Sequence, residues 1–223
     1  MGWRDALLDA LALLSPVECA GCGAPDRSLC AACALQLVPA PTPRLTPGGL
    51  TVVTSLHYEG AVRRVILALK EQDRTDVAAP LSAALKAAIR SLDVDLVPVP
   101  TSRAAYRRRG YDPVALLMRR ASLRPVMALR HVRATERQKS LGVEERAANL
   151  EGAFAARGSL TGRRVLLVDD VLTTGATLDE AARAVREAGG EVVGGATLAF
   201  TRRLLPHRDL RQGEDYGWAQ GAQ

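Results

Sequence analysis

The segment RRVLLVDDVLTTGATL, Arg163–Leu178, determines the fold that this sequence predicts. Its apolar run VLLV is typical of a strand that is buried on both faces of a parallel sheet. Two carboxylates, Asp169 and Asp170, come next, and a turn with one glycine, Thr173–Thr177, follows them. Ligands of open α/β sheets bind just beyond the carboxyl ends of the strands, so the segment predicts a ligand site as well as a strand.

The turn has the chemistry of an anion site. Gly175 allows a close backbone approach or a positive φ, and the amides of the turn converge with the following helix N-terminus on an anion. The two aspartates can accept hydrogen bonds from vicinal hydroxyls, so a sugar phosphate would satisfy both features. The alternative is that the aspartates cap the helix and the threonines are ordinary turn residues. The desolvation cost of two adjacent carboxylates at the end of a buried strand favours the ligand site.

Strand and helix patterns alternate on both sides of this segment. Further strands are predicted at Thr51–Tyr58, Asp95–Pro100 and Glu191–Phe200. Apolar residues at helical spacing predict two helices, on Val62, Val65, Ile66 and Leu69 and on Val77, Leu81, Leu85 and Ile89, the second with Asp76 as its cap. Asp112-Pro113 predicts a capped helix through Met118, and another helix runs from about Ala176 to Gly189-Gly190. This order predicts an α/β domain with a mainly parallel sheet.

Composition divides the chain into four parts. Residues 1–40 contain a short helical pattern and all four cysteines, and residues 41–49, rich in Pro, Gly and Thr, are predicted to be a linker. Residues 50–201 form the predicted α/β domain. Residues 202–223 are polar and are predicted to be a disordered tail.

The four cysteines form two CxxC pairs with seven residues between them, Cys19 with Cys22 and Cys30 with Cys33. Two such turns can complete a closed tetrahedral sulfur site, which predicts a structural zinc ion. The alternatives are redox-active pairs or scattered core cysteines. Four cysteines in the whole chain exclude a disulfide-dense secreted scaffold.

Length and hydropathy exclude other classes of protein. The chain has 223 residues, 48% of them hydrophobic, which is enough to bury a substantial core. No apolar run reaches the roughly 18 residues of a membrane-spanning helix. The leucine-rich start, Met1–Leu14, is interrupted by Asp5 and Asp9 and lacks a cleavage-like site, so we expect a cytoplasmic protein without a membrane partner.

The net charge of +6 is concentrated in one block. Residues 103–146 carry twelve Lys or Arg and four Asp or Glu, whereas the rest of the chain is slightly acidic. Such a block favours an anionic partner, either phosphate esters or nucleic acid. The alternative is a general arginine bias, since the chain has 27 arginines and three lysines.

These motifs resemble a known family. DDVLTTGAT after an apolar strand resembles the motif of type I phosphoribosyltransferases that binds 5-phosphoribosyl-1-pyrophosphate (PRPP), and Val97–Pro113 resembles the segment that supplies their pyrophosphate loop. The order Arg133, Gln138, Leu141, Arg146, Asn149 and Phe154 resembles the mobile loop of the competence-protein ComF family. With the cysteines, the chain is identified as a member of that family. The resemblance implies a type I phosphoribosyltransferase fold with a small N-terminal zinc-binding head.

The resemblance also implies roles for individual residues. The ribose hydroxyls of PRPP would be bound by Asp169 and Asp170. The 5′-phosphate would be held by the turn residues Thr173, Thr174, Gly175, Ala176 and Thr177. The pyrophosphate loop and a lid would be formed by Thr101, Ser102, Arg103, Arg109, Arg133, Gln138 and Arg146. Mg²⁺ would be held mainly by pyrophosphate and ribose oxygens, because it gives up its water reluctantly.

Three functions fit these expectations. The first is a Mg²⁺-dependent phosphoribosyltransferase, in which a nitrogen nucleophile displaces pyrophosphate at C1′; no residue of the sequence identifies the acceptor or a general base. The second is a non-catalytic PRPP- or nucleotide-responsive competence protein with a helicase-like partner, as the family resemblance implies. The third is a zinc-containing module that binds single-stranded DNA through the basic block. Lys70 is expected at a helix end, where its charge suits the dipole, or in the site.

Overall fold

The computed structural model describes residues 17–89, 93–132 and 151–201. Its strands are β1 (Thr42–Leu45), β2 (Thr51–His57), β3 (Asp95–Pro98), β4 (Leu129–His131), β5 (Phe154–Ala156), β6 (Arg164–Leu172) and β7 (Glu191–Phe200). Its helices are α1 (Ala31–Leu35), α2 (Gly60–Glu71), α3 (Ala78–Ala88), α4 (Arg103–Arg109), α5 (Pro113–Arg120) and α6 (Ala176–Glu187). The leucine-rich start and the predicted tail lie outside the described residues.

The main sheet has five strands in the order β1-β2-β7-β6-β3. The last four strands are parallel, and β1 is antiparallel to β2. β6 lies between β7 and β3, and its residues Val165–Val168 are fully buried, as expected for a strand that helices cover on both faces. The predicted α/β class with a mainly parallel sheet is confirmed.

Two apolar cores cover the two faces of this sheet. On one face α2, α3 and α5 pack their predicted apolar stripes, and Leu81 and Leu85 of α3 are completely buried. On the other face lie α6 and a separate antiparallel hairpin made of β4 and β5. No helix within the described ranges is long and apolar enough to cross a membrane.

The two predicted helix caps have different outcomes. Asp112 is the N-cap of α5: its Oδ1 accepts a hydrogen bond of 2.9 Å from the amide of Ala115, and Pro113 follows in the first turn. Asp76, in contrast, does not cap α3. The chain forms a 3₁₀ turn at Thr75–Val77 first, and the Asp76 carboxylate pairs instead with Arg74 at 2.7 Å.

The segment 41–49, expected to be a linker, contains an edge strand. Thr42–Leu45 pairs with β2, and its proline is tolerated because an edge strand uses only one hydrogen-bonding side. The turn after it is tied to α6: Thr46 Oγ1 donates to Asp179 Oδ1 at 2.5 Å, and the amide of Gly48 donates to Asp179 Oδ2 at 2.9 Å. The division into a head and an α/β domain stays a prediction.

We expect Asp179→Ala to loosen this turn. The variant removes the acceptor of two hydrogen bonds to a charged group, so the free energy of unfolding should fall by about 1–3 kcal/mol in a denaturant titration. Hydrogen exchange at the amide of Gly48 should accelerate. The control is Glu191→Ala, since the exposed pair of Glu191 with Arg164 spans 3.7 Å and should contribute little. Equal stability of the two variants would contradict the docking of the turn.

Candidate functional site

The aspartate pair lies inside β6. The sequence predicted a strand on the apolar run VLLV, and the pairing of β6 with β7 continues beyond that run through Leu172, which lies opposite Phe200. Both carboxylates are half-buried. The amide of Asp170 donates to Asp169 Oδ1 at 2.8 Å, so the two side chains leave the strand in different directions.

A lysine from another helix meets this pair. Lys70 Nζ lies 2.7 Å from Asp170 Oδ2, and the two side chains are 25% and 18% exposed. Burial disfavours the ammonium, but the carboxylate of Asp170, with Asp169 behind it, outweighs this and raises the pKa of Lys70. Lys70 thus lies in the last turn of α2, as the sequence predicted, and its ammonium contacts the aspartate pair.

The neighbouring carboxyl, Asp169, is disfavoured in its charged form. Burial, together with the negative charge of Asp170, raises the pKa of Asp169 to about 8. Lys70 counteracts this shift, and Asp112 adds to it. The two adjacent aspartates are therefore unequal, because one has a salt-bridge partner and the other is buried beside a like charge.

The predicted anion turn, Thr173–Thr177, packs closely against the turn that follows β1. Gly175 adopts φ +86° as the N-cap of α6, and a Cβ there would lie 2.9 Å from the side chain of Thr46. Only glycine can adopt this positive φ and also avoid a clash with Thr46. Thr174 Oγ1 accepts a hydrogen bond of 3.4 Å from the amide of Ala176. The turn is thus held between β6 and the β1–β2 hairpin, with the N-terminus of a 12-residue helix behind it.

The predicted pyrophosphate loop follows β3. Ser102 caps α4 by accepting from the amide of Ala105 at 3.3 Å. The amide of Thr101 donates to Asp112 Oδ2 at 3.3 Å, so the cap of α5 also fixes the loop. Arg103 is exposed at the start of α4.

Arg109, predicted with that loop, points elsewhere in this structure. Its side chain is 4% exposed, its Nε donates to the carbonyl of Lys70, and its Nη2 lies 2.9 Å from Glu71 Oε1. The guanidinium therefore holds the last turn of α2.

The three remaining lid residues, Arg133, Gln138 and Arg146, lie outside the described residues. The β4–β5 hairpin flanks this part of the chain. His131 Nε2 lies 2.8 Å from the carbonyl of Pro100, which joins the base of the hairpin to the loop after β3.

Two residues near the turn were not identified from the sequence. Asp179 binds the β1–β2 turn. Glu180 is buried, accepts from the amide of Phe154 at 3.2 Å and pairs with Arg183 at 2.7 Å. Burial opposes its ionisation, but Arg183 and the Phe154 amide lower the pKa of Glu180. No local pattern identifies these partners, since they come from distant parts of the chain.

The four cysteines come together as the spacing predicted. The sulfurs of Cys19, Cys22, Cys30 and Cys33 all lie within 4.8 Å of one another, and none of the four forms a disulfide. A tetrahedral Zn–S₄ centre with bonds of about 2.3 Å needs sulfurs about 3.8 Å apart, so the cluster fits a metal ion after a small contraction.

Backbone amides support this cluster. The amides of Gly21 and Cys30 donate to Cys19 Sγ at 3.4 and 3.3 Å. Burial raises the pKa of Cys19, but these amides and that of Cys22 outweigh it and lower the pKa to about 6. Burial raises the pKa of Cys33 to about 12. Cys19 is thus prepared as a thiolate, the form in which cysteine binds metals.

The cysteine segment packs on α2. Arg64 Nε donates to the carbonyl of Gly21, and the amide of Ala61 donates to Gln36 Oε1 at 3.2 Å. Ala61 is completely buried against Cys19 and Cys33. The same helix that ends at the aspartate pair thus begins at the cysteine cluster.

Comparison with known proteins agrees with this arrangement. The phosphoribosyl transferase domain model matches residues 107–214, which include the aspartate pair and the anion turn. Competence protein F of Haemophilus influenzae is 30% identical over 155 residues, which cover 61% of this chain and 67% of that protein. The chain belongs to the ComF family. The DNA utilization protein YhgH of Escherichia coli (strain K12) is 29% identical over 186 residues, 75% of this chain and 82% of that protein.

Solved structures align less closely. The orotate phosphoribosyltransferase of Mycobacterium tuberculosis has a TM-score of 0.38 and 24% identity, and the alignment covers 75% of this chain and 81% of that one. The adenine phosphoribosyltransferase of Rhodothermus marinus has a TM-score of 0.36 and 20% identity over 75% and 86% of the two chains. The matched domain and the sheet order confirm the predicted fold, a type I phosphoribosyltransferase fold preceded by a four-cysteine cluster that could hold zinc.

The unequal aspartates predict a pH-dependent stability. Because the pKa of Asp169 is raised from 3.8 to about 8, folding takes up a proton between these values, and stability falls as the pH rises towards 8. Asp169→Asn removes this dependence. In urea titrations the variant should exceed the wild type by about 1–3 kcal/mol at pH 8.5, since one pKa unit is worth about 1.4 kcal/mol.

The same comparison at pH 5 is the control. There the wild-type carboxyl is protonated, so the difference between the two proteins should shrink. A constant difference from pH 5 to pH 8.5 would show that Asp169 ionises normally in the folded protein.

Proposed function

We propose that this ComF-family protein binds PRPP at the carboxyl end of β6, with Asp169, Asp170 and the turn Thr173–Thr177 as its core contacts. The observation that carries the proposal is the arrangement along one strand: half-buried carboxylates come first, and a glycine-containing turn at a helix N-terminus follows three residues later. Carboxylates suit the ribose hydroxyls, and backbone amides at a helix N-terminus suit the 5′-phosphate. A pentose phosphate presents both groups in one molecule.

The reaction that follows from PRPP binding is phosphoribosyl transfer. A nitrogen acceptor attacks C1′, the bond from C1′ to pyrophosphate breaks, and the acceptor nitrogen loses a proton. Thr101, Ser102 and Arg103 are the proposed contacts of the leaving pyrophosphate, and Arg133, Gln138 and Arg146 are the proposed lid. Cations near the pyrophosphate would stabilise the charge that develops on it, and a closed lid would exclude water.

Magnesium is the proposed cofactor of this site. Its donor set fits, because the end of β6 offers carboxylate oxygens and PRPP itself supplies the remaining oxygens that Mg²⁺ prefers. Bound Mg²⁺ would neutralise part of the pyrophosphate charge. Of the protein oxygens, those of Asp169 and Asp170 are the nearest candidates to hold it.

The second candidate is a non-catalytic competence protein that uses the same pocket as a sensor of PRPP or of a nucleotide. The names of its relatives, a competence protein and a DNA utilization protein, favour a role in DNA uptake. Single-stranded DNA and a helicase-like protein are the proposed partners. A cytoplasmic location stays a prediction.

The basic block divides into two surfaces. Arg107 and Arg108 lie on α4, beside the loop that follows β3, and Arg108 is paired with Glu71 at 2.8 Å. A second set ends α5 and follows it: Arg119, Arg120 and Arg124. The second set thus lies at and beyond the C-terminal end of α5, whose eight residues span about 12 Å.

The proposed head metal is one structural zinc ion bound by Cys19, Cys22, Cys30 and Cys33. Four thiolates complete the tetrahedron and leave no position for a substrate, so the ion would stabilise the fold and take no part in the reaction. The support is the convergence of the four sulfurs together with the amides directed at Cys19 Sγ.

The PRPP site is tested by calorimetry of Asp170→Asn, with and without Mg²⁺. Loss of a charge-assisted hydrogen bond to the ribose should weaken PRPP binding by about 1–3 kcal/mol. The control is Asp95→Asn, at the opposite end of the sheet, where the carboxylate pairs with Arg163. Unchanged affinity in Asp169→Asn, Asp170→Asn would contradict the site. A screen of nitrogen bases for pyrophosphate release then separates the transferase from the sensor.

The zinc ion is tested by elemental analysis, which should find about one zinc per chain. Cys22→Ser should lower this content. Chelation should loosen the residues around the cysteines before the sheet, as seen in hydrogen exchange at Ala61 and Gln36, and added zinc should restore protection. Zinc-free protein, or four freely reactive thiols in the metal-loaded protein, would contradict the assignment.

A further inference from the structure

We propose that Lys70 is a positioning residue of the ligand site, which holds the Asp170 carboxylate in place for the vicinal hydroxyls of a pentose phosphate. The inference rests on the proposed function and adds to it a residue that lies 100 positions before its partner in the sequence. The direct evidence is the distance of 2.7 Å between Lys70 Nζ and Asp170 Oδ2. A ligand that hydrogen-bonds to this carboxylate would lie one contact away from the ammonium.

The charges around Lys70 favour this role. Asp169 interacts electrostatically with Asp170 and with Asp112, the N-cap of α5. The ammonium of Lys70 lies against Asp170 and interacts with Asp169 as well. PRPP is strongly anionic, so carboxylates without a counter-charge would repel it. An ammonium beside them reduces this repulsion and leaves the carboxylate oxygens as acceptors for hydroxyls.

The backbone of Lys70 is held from the pyrophosphate-loop side. Tyr111 Oη donates to the carbonyl of Leu69, and Arg109 Nε donates to the carbonyl of Lys70. Glu71 pairs with both Arg108 and Arg109, at 2.8 and 2.9 Å. The residues that hold the last turn of α2 thus belong to α4 and its end, directly after the proposed pyrophosphate loop. The proposed pyrophosphate loop and Lys70 are therefore held in fixed positions relative to each other.

The other end of the helix is also fixed. Arg64 and Ala61 of α2 bind the cysteine segment through Gly21 and Gln36. A 12-residue helix that is held at both ends presents its last side chains reproducibly. This matters for a lysine, because the ordering of its long side chain would otherwise cost entropy each time a ligand binds.

A purely structural role makes a different prediction. Lys70 lies in the last turn of α2, where any cation interacts favourably with the helix dipole. Lys86 occupies the same place in the last turn of α3 and is exposed, so it is a matched control. If the dipole were the reason for Lys70, both lysines would affect stability alone.

The test compares Lys70→Met, Lys70→Arg and Lys86→Met in the full-length, metal-loaded protein. PRPP affinity is measured by calorimetry with Mg²⁺ between pH 6 and 9. We expect Lys70→Met to weaken PRPP binding by about tenfold or more, the size of one charge-assisted contact, and Lys70→Arg to restore most of it. Lys86→Met should bind as the wild type does. A loss of PRPP affinity below about threefold in Lys70→Met, or an equal loss in Lys86→Met, would overturn the proposal. A loss between about threefold and tenfold supports the proposal if Lys70→Arg reverses it and overturns the proposal if Lys70→Arg does not.

A second measurement separates this proposal from the PRPP site itself. In the ligand-free protein, carbon-13 resonances of the aspartate carboxyls are recorded at one pH and assigned with Asp169→Asn and Asp170→Asn. Lys70→Met should shift the Asp170 resonance, whereas Lys86→Met should leave it unchanged. If the wild type binds no PRPP, the proposed function fails, and these resonances alone decide whether Lys70 positions Asp170. Unchanged resonances in Lys70→Met would overturn the proposal.

Discussion

Two adjacent carboxylates within β6 need a counter-charge, and Lys70 supplies it. Asp169 and Asp170 lie within β6, where water is partly excluded, so their charges cannot be screened as they would be at an open surface. The ion pair between Lys70 and Asp170 can form only if α2 is placed correctly. The cysteine segment and α4 contribute to this placement, because both hold that helix.

Three parts of the chain thus meet on α2. Its first turns contact the cysteine segment, its apolar stripe packs on the sheet, and its last turn is held by α4. The cysteine cluster and the aspartate pair are both attached to this single 12-residue helix. The cysteine cluster and the aspartate pair are therefore ordered by the same helix, α2, although they lie at its opposite ends.

Periodic patterns in the sequence predicted most of this fold. The strand β7 and the cap Asp112 were predicted as they occur, and the apolar stripes of α2 and α3 were correct. The strand β1 was missed, because Pro and Gly favour coil while an edge strand needs pairing on one side only. The pair of Lys70 with Asp170 was left open for another reason: local spacing carries no information on contacts between distant segments.

The proposed site for a pentose phosphate combines two demands that oppose each other electrostatically. Hydroxyls are best bound by carboxylates, whereas phosphates are repelled by them and are best bound by amides and cations. In this protein the two kinds of group are separated along one stretch of chain, since the carboxylates lie within β6 and the amide turn begins at Thr173, directly after that strand ends. Gly175 permits the short connection between them, because a side chain there would collide with Thr46. The β1–β2 hairpin therefore helps to shape the anion turn, which explains why a segment with the composition of a linker forms an ordered strand.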